Sequence, residues 1–323
     1  MEDIISQFKG KKVLIIGDVM LDAYIIGKVD RVSPEAPVPI VNIESKEDRL
    51  GGAANVALNI KALGATPILI SAIGDDKDGE TFLKIIKKNQ IDGIGIFKSK
   101  QRTTTTKTRI LGNKHQLLRL DSESAIDLDN DDHKTLISIV KQQIKSCDVV
   151  ILQDYNKGVL TEKNIPLIIE IALKAKKPIA VDPKKKNFLA YKGVTLFKPN
   201  LKEIKEGLNT DKNLKKNPQL IEAVIELNLI LNNALTMVTL SEDGVMITDH
   251  STFEFIPAHI RNISDVSGAG DTVISVASLC LACKYDKYLI AELSNLAGGL
   301  VCEENGVVPI NIDKFIKEIS LIL

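Results

Sequence analysis

The sequence predicts an α/β fold with a mainly parallel central sheet, helices on both faces and a small β lid. Short β-branched segments alternate with amphipathic helical segments between residues 66 and 240, which is typical of a parallel sheet with helical crossovers. Two strand-rich segments, residues 24–43 and 103–120, interrupt this alternation. The length of 323 residues gives enough chain for one large domain of this kind.

The elements of the main sheet follow in order along the chain. A short β-branched strand at residues 13–16 ends in Gly17 and Asp18. Strands are then predicted at 67–72, 149–152, 178–181, 193–197 and 235–240, and helices at 77–89, 131–145, 162–175 and 273–283. Because the carboxyl ends of parallel strands meet at the usual ligand-binding edge, the residues that follow these strands are the candidates for a functional site.

The segments 24–43 and 103–120 predict a second, smaller sheet. The first is broken by the run 33–37, SPEAP, and the second contains Gly112-Asn113, which is typical of a hairpin turn. We expect the two segments to pair as a lid that excludes water or forms a homodimer interface. No interdomain linker or repeat is visible, so residues 1–323 are predicted to form a single domain.

Composition argues against several classes of protein. Lys plus Arg equals Asp plus Glu, 42 of each, and tryptophan is absent, which disfavours nucleic-acid and membrane partners. No apolar run reaches membrane-spanning length and the N-terminus lacks a signal-type core, so we expect a cytoplasmic location. Cys280 and Cys283 form a CxxC pattern inside an apolar helical run, which favours packed thiols over a metal site.

The segment 265–272, DVSGAGDT, predicts an anion site with a base beside it. Backbone amides of Gly268, Ala269 and Gly270 would stand free at the start of a helix, where the macrodipole also favours an anion. Asp271 lies among them. Transfer of a phosphoryl group to a hydroxyl requires both an anion site and a base. The alternative is a glycine turn with Asp271 as a helix cap.

Candidate ligand-binding residues also lie earlier in the chain. Gly51 and Gly52 would let a ligand approach the backbone, and Asn55, one turn further on, can hydrogen-bond the hydroxyls of a polyol. Close packing of a helix on the sheet explains the same glycines equally well. Asp18 and Asp22 follow the first strand and either bind a ligand or form turns.

Several later strand ends carry residues suited to a nucleotide and its metal. Asn200 and Glu203 are one helical turn apart, which suits a hydrated magnesium ion and also a capping box. Lys184 follows a strand end and can reach a phosphate. Backbone and hydroxyl groups that can face the nucleotide occur at Thr239, Ser241 and Gly244, and the side-chain amide of Asn295 can face a base or ribose.

The pair formed by residues 51–55, GGAAN, and residues 265–272 resembles the two signatures of the ribokinase-like (PfkB) sugar kinases. The resemblance extends from about residue 11 to about residue 310. Segments 17–22, 31–39 and 153–158 are more narrowly similar to the heptose 7-phosphate kinases of this family. The resemblance implies transfer of the ATP γ-phosphoryl to the anomeric hydroxyl of D-glycero-D-manno-heptose 7-phosphate, which yields the 1,7-bisphosphate for ADP-heptose and lipopolysaccharide core synthesis.

The resemblance also implies roles for many of the candidate residues. Asp271 would be the base and the amides of residues 268–270 the anion hole. The sugar would be bound by Asp18, Gly51, Gly52 and Asn55. Mg²⁺ would act through Asn200 and Glu203, and ATP would be surrounded by Thr239, Ser241, Gly244 and Asn295. Outside the resemblance, Asp22 is a further candidate for the sugar, Lys184 for ATP, and Arg109, Lys107 and Arg119 of the predicted lid for the phosphate of the substrate. Asp265 and Ser267 match positions that hold a monovalent cation, such as K⁺, in some relatives.

The remaining expectations concern the extent of the protein and its alternatives. Some heptose 7-phosphate kinases continue into an adenylyltransferase domain, and since this sequence stops at Leu323 we expect the kinase step alone. A kinase for another sugar or sugar phosphate is the main alternative. A dinucleotide-dependent oxidoreductase should carry GxGxxG after the first strand, where the sequence reads GDVM. A non-catalytic sugar sensor would not require the intact GAGD segment.

Overall fold

The computed structural model describes residues 2–259 and 261–322, so that Met1, Ile260 and Leu323 of the predicted domain lie outside the described residues. The strands in this part of the chain are β1 (Lys12–Gly17), β2 (Val19–Val32), β3 (Pro39–Gly52), β4 (Thr66–Gly74), β5 (Asp92–Ser99), β6 (Thr106–Gly112), β7 (His115–Ser122), β8 (Val149–Gln153), β9 (Ile179–Asp182), β10 (Leu196–Phe197), β11 (Leu235–Thr239), β12 (Val245–Thr248) and β13 (Phe253–Ile256).

The α-helices are α1 (Glu2–Ser6), α2 (Ala53–Ala62), α3 (Lys77–Lys88), α4 (Asn130–Gln143), α5 (Ile165–Lys174), α6 (Leu201–Gly207), α7 (Asn217–Leu231), α8 (Ala269–Ala282), α9 (Lys287–Val301) and α10 (Ile312–Ile322). Within the described ranges, none of these helices is both long and apolar enough to cross a membrane.

The main sheet confirms the predicted fold class. Its nine strands lie in the order β13-β12-β11-β10-β9-β8-β1-β4-β5, and all neighbours from β11 to β5 are parallel. The two antiparallel pairs, β11 with β12 and β12 with β13, form one end of the sheet. Side chains of β1 alternate between two buried clusters: Val13 and Ile15 face one helical layer, and Leu14 and Ile16 face the other.

Two predicted elements are shorter in the structure. Helix α5 begins at Ile165 rather than at residue 162, because Thr161 and Asn164 form a turn before it: each donates its backbone N–H to the other's side-chain oxygen, at 2.9 and 3.2 Å. The strand predicted at 193–197 pairs only over Leu196–Phe197. Strands β5 and β13 and helices α1, α7 and α10 are not among the elements predicted from the sequence.

The two strand-rich segments form a separate four-stranded sheet, in the order β3-β2-β6-β7, which we call the lid sheet. Strand β2 pairs antiparallel with β3 and parallel with β6, and β6 pairs antiparallel with β7. Strands β2 and β3 have 14 residues each, much longer than the short strands expected. They are buried where they join the main domain, at Val19–Leu21 and Leu50–Gly52, and become exposed towards their other ends.

Candidate active site

Helix α8 begins within the segment 265–272. Gly268 is its N-cap and has φ 81°, and the Thr272 N–H donates to the Gly268 carbonyl at 3.0 Å. Within the described part of the chain, the amides of Gly268, Gly270 and Asp271 have no protein partner. The Ala269 amide differs from the prediction, because it closes a turn onto the Val266 carbonyl at 3.3 Å. Free N–H groups at the start of a 14-residue helix are suited to an anion.

Gly268 is required by its conformation and by its neighbour. A φ of 81° lies in the left-handed region that side chains disfavour. A Cβ at this position would lie 3.0 Å from Asn55 Nδ2. The glycine therefore permits both the turn into helix α8 and the close approach of Asn55 to the following aspartate.

Asp271 is buried and accepts hydrogen bonds from three side chains. Asn55 Nδ2 donates to Oδ2 at 2.8 Å, while Tyr155 Oη and Gln153 Nε2 donate to Oδ1 at 2.7 and 3.1 Å. These donors come from helix α2 and from the end of strand β8, which lie on either side of α8. The carboxyl group of Asp271 therefore faces the junction of these elements, beside the free amides.

Burial raises the pKa of Asp271 to about 6. The hydrogen bonds from Asn55 and Tyr155 and the positive charge of Lys198 act in the opposite direction, while the negative charge of Asp182 adds to the increase. A carboxylate with a pKa near 6 is a much better proton acceptor than an exposed one, and it is still ionised at neutral pH.

A chain of buried charges continues from Asp271 along the carboxyl edge of the sheet. Gln153 Nε2 also donates to Asp182 Oδ2 at 3.1 Å, and Lys198 Nζ lies 3.1 Å from Asp182 Oδ1. A Cβ on Gly270 would be 3.8 Å from Lys198 Nζ, so this cation lies next to the amides of the anion site. Both Asp182 and Lys198 are buried.

Lys184 extends the same charged network towards Glu203. Its Nζ pairs with Glu203 Oε1, lies 4.0 Å from Asp182 Oδ1 and is 5.6 Å from the centre of the Tyr155 ring. Burial lowers the pKa of Lys184, but the surrounding carboxylates outweigh it and the net effect is to raise the pKa. Lys184 is therefore a fixed positive charge at the predicted nucleotide side.

Asn200 and Glu203 form the capping box that was one of their two interpretations. Asn200 Oδ1 accepts from the Glu203 N–H at 2.9 Å, and Glu203 Oε2 accepts from the Asn200 N–H at 2.9 Å. With Glu203 Oε1 on Lys184, both carboxylate oxygens are engaged. No group of three or more His, Cys, Asp or Glu residues suited to a metal occurs in residues 2–259 and 261–322. These two side chains therefore fit a magnesium ion only through its water ligands.

Asp18 is positioned as a scaffold for the loop after strand β8. Its oxygens accept from the backbone N–H groups of Tyr155, Lys157 and Val159, at 2.9, 3.0 and 3.0 Å. Burial raises the pKa of Asp18 despite these hydrogen bonds. The loop that Asp18 holds carries Tyr155, so the effect of Asp18 on Asp271 is indirect; its contact with a sugar stays a prediction.

Asp22 lies in the lid sheet and pairs with Arg109, whose Nη1 lies 2.5 Å from Asp22 Oδ1. Gly51 of strand β3, which pairs with Met20, makes room for this carboxylate, because a Cβ there would lie 2.3 Å from Asp22 Oδ2. Gly52 ends the same strand and precedes helix α2. The other two predicted phosphate ligands, Lys107 and Arg119, also pair with carboxylates, both of them with Asp121.

The predicted nucleotide residues are spread over the turn after β11 and over helix α9. Thr239 ends β11, Ser241 begins a short 3₁₀ turn, and Gly244 (φ 92°) precedes β12. Asn295 Nδ2 donates to the Pro257 carbonyl at 2.8 Å, which ties helix α9 to the segment after β13. No contact links this group directly to Asp271 among the described residues.

Asp265 joins two loops beside helix α8. Its Oδ1 accepts from the Ser267 N–H at 2.9 Å and its Oδ2 from the Gly306 N–H at 3.0 Å. Burial opposes ionisation of Asp265, but these hydrogen bonds outweigh it and lower its pKa. An ionised carboxylate is compatible with a monovalent cation, and this role stays a prediction.

Four residues of the site were not identified from the sequence: Gln153, Tyr155, Asp182 and Lys198. All four follow or end parallel strands. Strand-end position was therefore the available signal. Gln153 and Tyr155 lie in the segment 153–158 that was quoted for the family resemblance, but strand-end position assigned no role to any of the four, because their side chains meet only through the register of β8, β9 and β10.

A family model described as "pfkB family carbohydrate kinase" matches residues 10–313. Two curated relatives are named bifunctional protein HldE. The protein from Aliarcobacter butzleri is 38% identical over 95% of this chain and 64% of its own length. The protein from Helicobacter pylori strain J99 is 38% identical over 97% of this chain and 66% of its own length. The chain thus spans about two thirds of these relatives.

Solved structures share the fold at low sequence identity. Phosphofructokinase-2 from Escherichia coli in complex with potassium superimposes with a TM-score of 0.79 at 18% identity, covering 97% of this chain and 99% of the other. Ribokinase from Arabidopsis thaliana complexed with ribose and ATP gives a TM-score of 0.71 at 14% identity, covering 96% and 99%.

Proposed function

Because the chain belongs to the pfkB family of carbohydrate kinases and is therefore an ATP-dependent sugar kinase, we propose that its acceptor is the anomeric hydroxyl of D-glycero-D-manno-heptose 7-phosphate. The observation that carries the proposal is the arrangement of Asp271, a buried base with three side-chain donors, beside the free amides of helix α8. The similarity to the HldE proteins supports this choice of sugar.

The proposed reaction is an in-line displacement at the γ-phosphorus of ATP. Ionised Asp271 takes the proton of the anomeric hydroxyl as the sugar oxygen forms its bond to phosphorus. The bond from phosphorus to the β,γ-bridging oxygen breaks, and the electron pair leaves with ADP. The amides of Gly268, Gly270 and Asp271, together with Lys198, stabilise the charge on the transferring group.

Mg²⁺ would neutralise the phosphate oxygens of ATP, and we propose that Asn200 and Glu203 hold its water ligands. A positioned base contributes about 10²–10⁴ in rate, so most of the acceleration is assigned to positioning and to stabilisation of charge. The sugar would lie between Asp271, Asn55 and residues 18–22 and 51–52, and the nucleotide beside Lys184, Thr239, Ser241, Gly244 and Asn295.

The phosphate of the substrate needs a cationic site, for which we propose Arg109. Its guanidinium pairs with Asp22 and lies over the Tyr24 ring, 5.5 Å from the ring centre. Arg102 is a second candidate for binding the phosphate of the substrate. Its Nη1 is buried without a hydrogen-bond partner among the described residues, and its Nη2 donates to the Lys157 carbonyl.

The lid sheet is proposed to form the interface of a homodimer. Its strands and the loop beside them expose large apolar side chains: Val32, Val38, Ile43, Leu117, Leu118 and Leu120. Strands β3 and β7 are its two edges, and an open edge favours pairing with a second copy. Size measurement of the protein, with Leu118→Lys as the disruptive variant, tests this interface; an unchanged dimer would reject it.

We further propose that K⁺ binds near Asp265 and Ser267, with an activity difference between K⁺ and Na⁺ as the test. The reaction would take place in the cytoplasm, where ATP is available, and would supply ADP-heptose and lipopolysaccharide core synthesis.

The proposed substrate is tested with a panel of sugars and sugar phosphates in a coupled ADP-release assay. Heptose 7-phosphate should give the highest kcat/KM. Phosphorus NMR of its product should show a second phosphate, coupled to the anomeric proton. A higher kcat/KM for a hexose phosphate or for ribose would replace the proposed acceptor, and no ADP release above background with any sugar would contradict catalysis.

A further inference from the structure

Gln153 is the described residue whose side chain joins the two buried carboxylates of the site. Its Nε2 donates to Asp271 Oδ1 and to Asp182 Oδ2, at 3.1 Å in each case. The residue is fully buried at the end of β8. One amide nitrogen therefore uses both of its hydrogens on carboxylate oxygens.

The orientation of this amide is energetically unfavourable for its oxygen, which suggests that the two N–H contacts have a function. Gln153 Oε1 is buried and has no hydrogen-bond partner within the described residues. An unpaired buried acceptor is unfavourable, and turning the amide over would bring that oxygen against two carboxylates. The amide therefore keeps its N–H groups on Asp182 and Asp271, although this orientation leaves its oxygen without a hydrogen bond among the described residues.

The groups around Asp271 explain why a neutral bridge is needed there. Asp182, at the end of strand β9, brings a negative charge close to Asp271. Lys198 after β10 and Lys184 after β9 bring positive charges. Tyr155, after β8, donates its hydroxyl to Asp271. Asn55 of α2 is uncharged. Without the amide between them, the two carboxylates would repel each other, and the negative charge of Asp182 would make Asp271 easier to protonate.

We propose that Gln153 is a positioning residue that orients the Asp271 carboxylate and couples the base to the Asp182–Lys198 ion pair. Lys198 lies beside Gly270, so the coupling joins the proton acceptor to the side of the site where phosphoryl charge develops. The proposal deepens the proposed kinase function and rests on Asp271 acting there as the base.

Two substitutions of Gln153 should shift activity in opposite pH directions. Gln153→Met keeps the volume but removes both donors, so Asp271 should hold its proton more tightly, and the acid limb of kcat/KM should move up by about one pH unit. Gln153→Glu must itself be protonated to donate between two carboxylates. Relative to the wild type at the same pH, it should therefore lose activity as the pH rises and retain most of it on the acid side.

Direct titration makes the test independent of the sugar. Carbon-13 NMR of labelled aspartate carboxyls, assigned with Asp271→Asn, should report the Asp271 pKa near 6 in the wild type and about one unit higher in Gln153→Met. Gln142→Met, on the exposed face of α4, is the matched control and should leave the titration unchanged. Thermal melting checks the fold of each variant.

The outcomes separate the two proposals. An unchanged Asp271 pKa in Gln153→Met, or uniform loss of activity in both Gln153 variants at every pH, would overturn the positioning role. If Gln153→Met does not fold, the positioning role is tested by Gln153→Glu alone. That variant should lose activity as the pH rises, and no such loss would overturn the role. Failure of the kinase proposal would instead appear as a wild type that phosphorylates no sugar, whatever the titration of Asp271 gives.

Discussion

Asp271 and Asp18 are both buried at the carboxyl edge of the main sheet and both accept three hydrogen bonds, but from different kinds of donor. Asp271 accepts from the side chains of Asn55, Gln153 and Tyr155. Among the described residues, Asp18 accepts only from backbone amides of the loop 155–159. Side-chain donors can rotate when a substrate hydroxyl arrives, whereas the amides of an ordered loop cannot. The first arrangement suits a proton acceptor and the second suits a structural anchor.

The largest expected effect is the loss of turnover in Asp271→Asn. The substitution keeps the shape of the side chain but removes the proton acceptor, so kcat should fall by about 10²–10⁴. Binding of ATP, measured with a fluorescent analogue, should be unchanged because Asp271 is assigned to the sugar side. Near-normal turnover in this variant would remove Asp271 from the role of base.

The matching substitution in the structural anchor, Asp18→Asn, should mainly reduce stability. An asparagine has one oxygen in place of two, so at least one buried amide of residues 155–159 loses its acceptor, at a cost of about 1–3 kcal/mol. Thermal melting should show a lower Tm, and hydrogen exchange of the Tyr155, Lys157 and Val159 amides should accelerate. A normal Tm combined with a large increase in the KM for the sugar would instead identify Asp18 as a direct ligand.

The pH dependence of kcat/KM and of stability in the wild type tests the role of Asp271 without mutation. Since Asp271 must be ionised to accept a proton and its pKa is raised to about 6, kcat/KM should decline about tenfold per pH unit below that value. The sign for stability is opposite. A folded pKa above the ordinary value means that this group's contribution to stability is present below about pH 4 and is lost as the pH rises through about 6.

Catalysis and stability therefore have opposite requirements at Asp271. The protein works in the pH range where the ionised, buried carboxylate weakens the fold. Measurement of kcat/KM from pH 5 to pH 8, beside thermal melting over the same range, checks both directions. An acid limb centred near pH 4 would show that Asp271 titrates like an exposed carboxylate.

The same comparison explains what could be predicted from the sequence. Asp271, Gly268 and Asn55 lie in continuous segments whose residue types reveal both the helix start and the chemistry, so they were identified from the chain alone. The partners Gln153, Asp182 and Lys198 come from three strands, and only the parallel register brings them together. The backbone contacts of Asp18 depend on the path of a loop that its residue types do not determine.

A smaller effect is expected where the substrate phosphate would bind. Arg109→Ala should raise the KM for the phosphorylated sugar about tenfold or more and should change kcat little. This increase corresponds to the binding free energy of one charge-assisted hydrogen bond. Arg102→Ala is the matched variant, because Arg102 donates to the Lys157 carbonyl of the loop 155–159 and forms no ion pair within 4.0 Å among the described residues, whereas Arg109 pairs with Asp22. A KM increase confined to Arg102→Ala would move the phosphate site there.

The smallest expected effect concerns Asn200, whose oxygen, like those of Asp18, already accepts a backbone N–H. If Asn200 acts only as the cap of helix α6, Asn200→Ser should retain both stability and activity, since serine is an equally good N-cap. We instead expect Asn200→Ser to keep the Tm but to raise the KM for MgATP, because the shorter side chain cannot reach a hydrated magnesium ion.

Asn200→Ala completes the test of this residue. It removes the cap as well, which costs about 1 kcal/mol, so its Tm should fall while its KM for MgATP matches that of Asn200→Ser. Measuring KM at several magnesium concentrations separates the two roles, since only a metal-linked residue shifts the magnesium requirement. Equal magnesium requirements in all three proteins would assign Asn200 wholly to the structural side of the comparison, with Asp18.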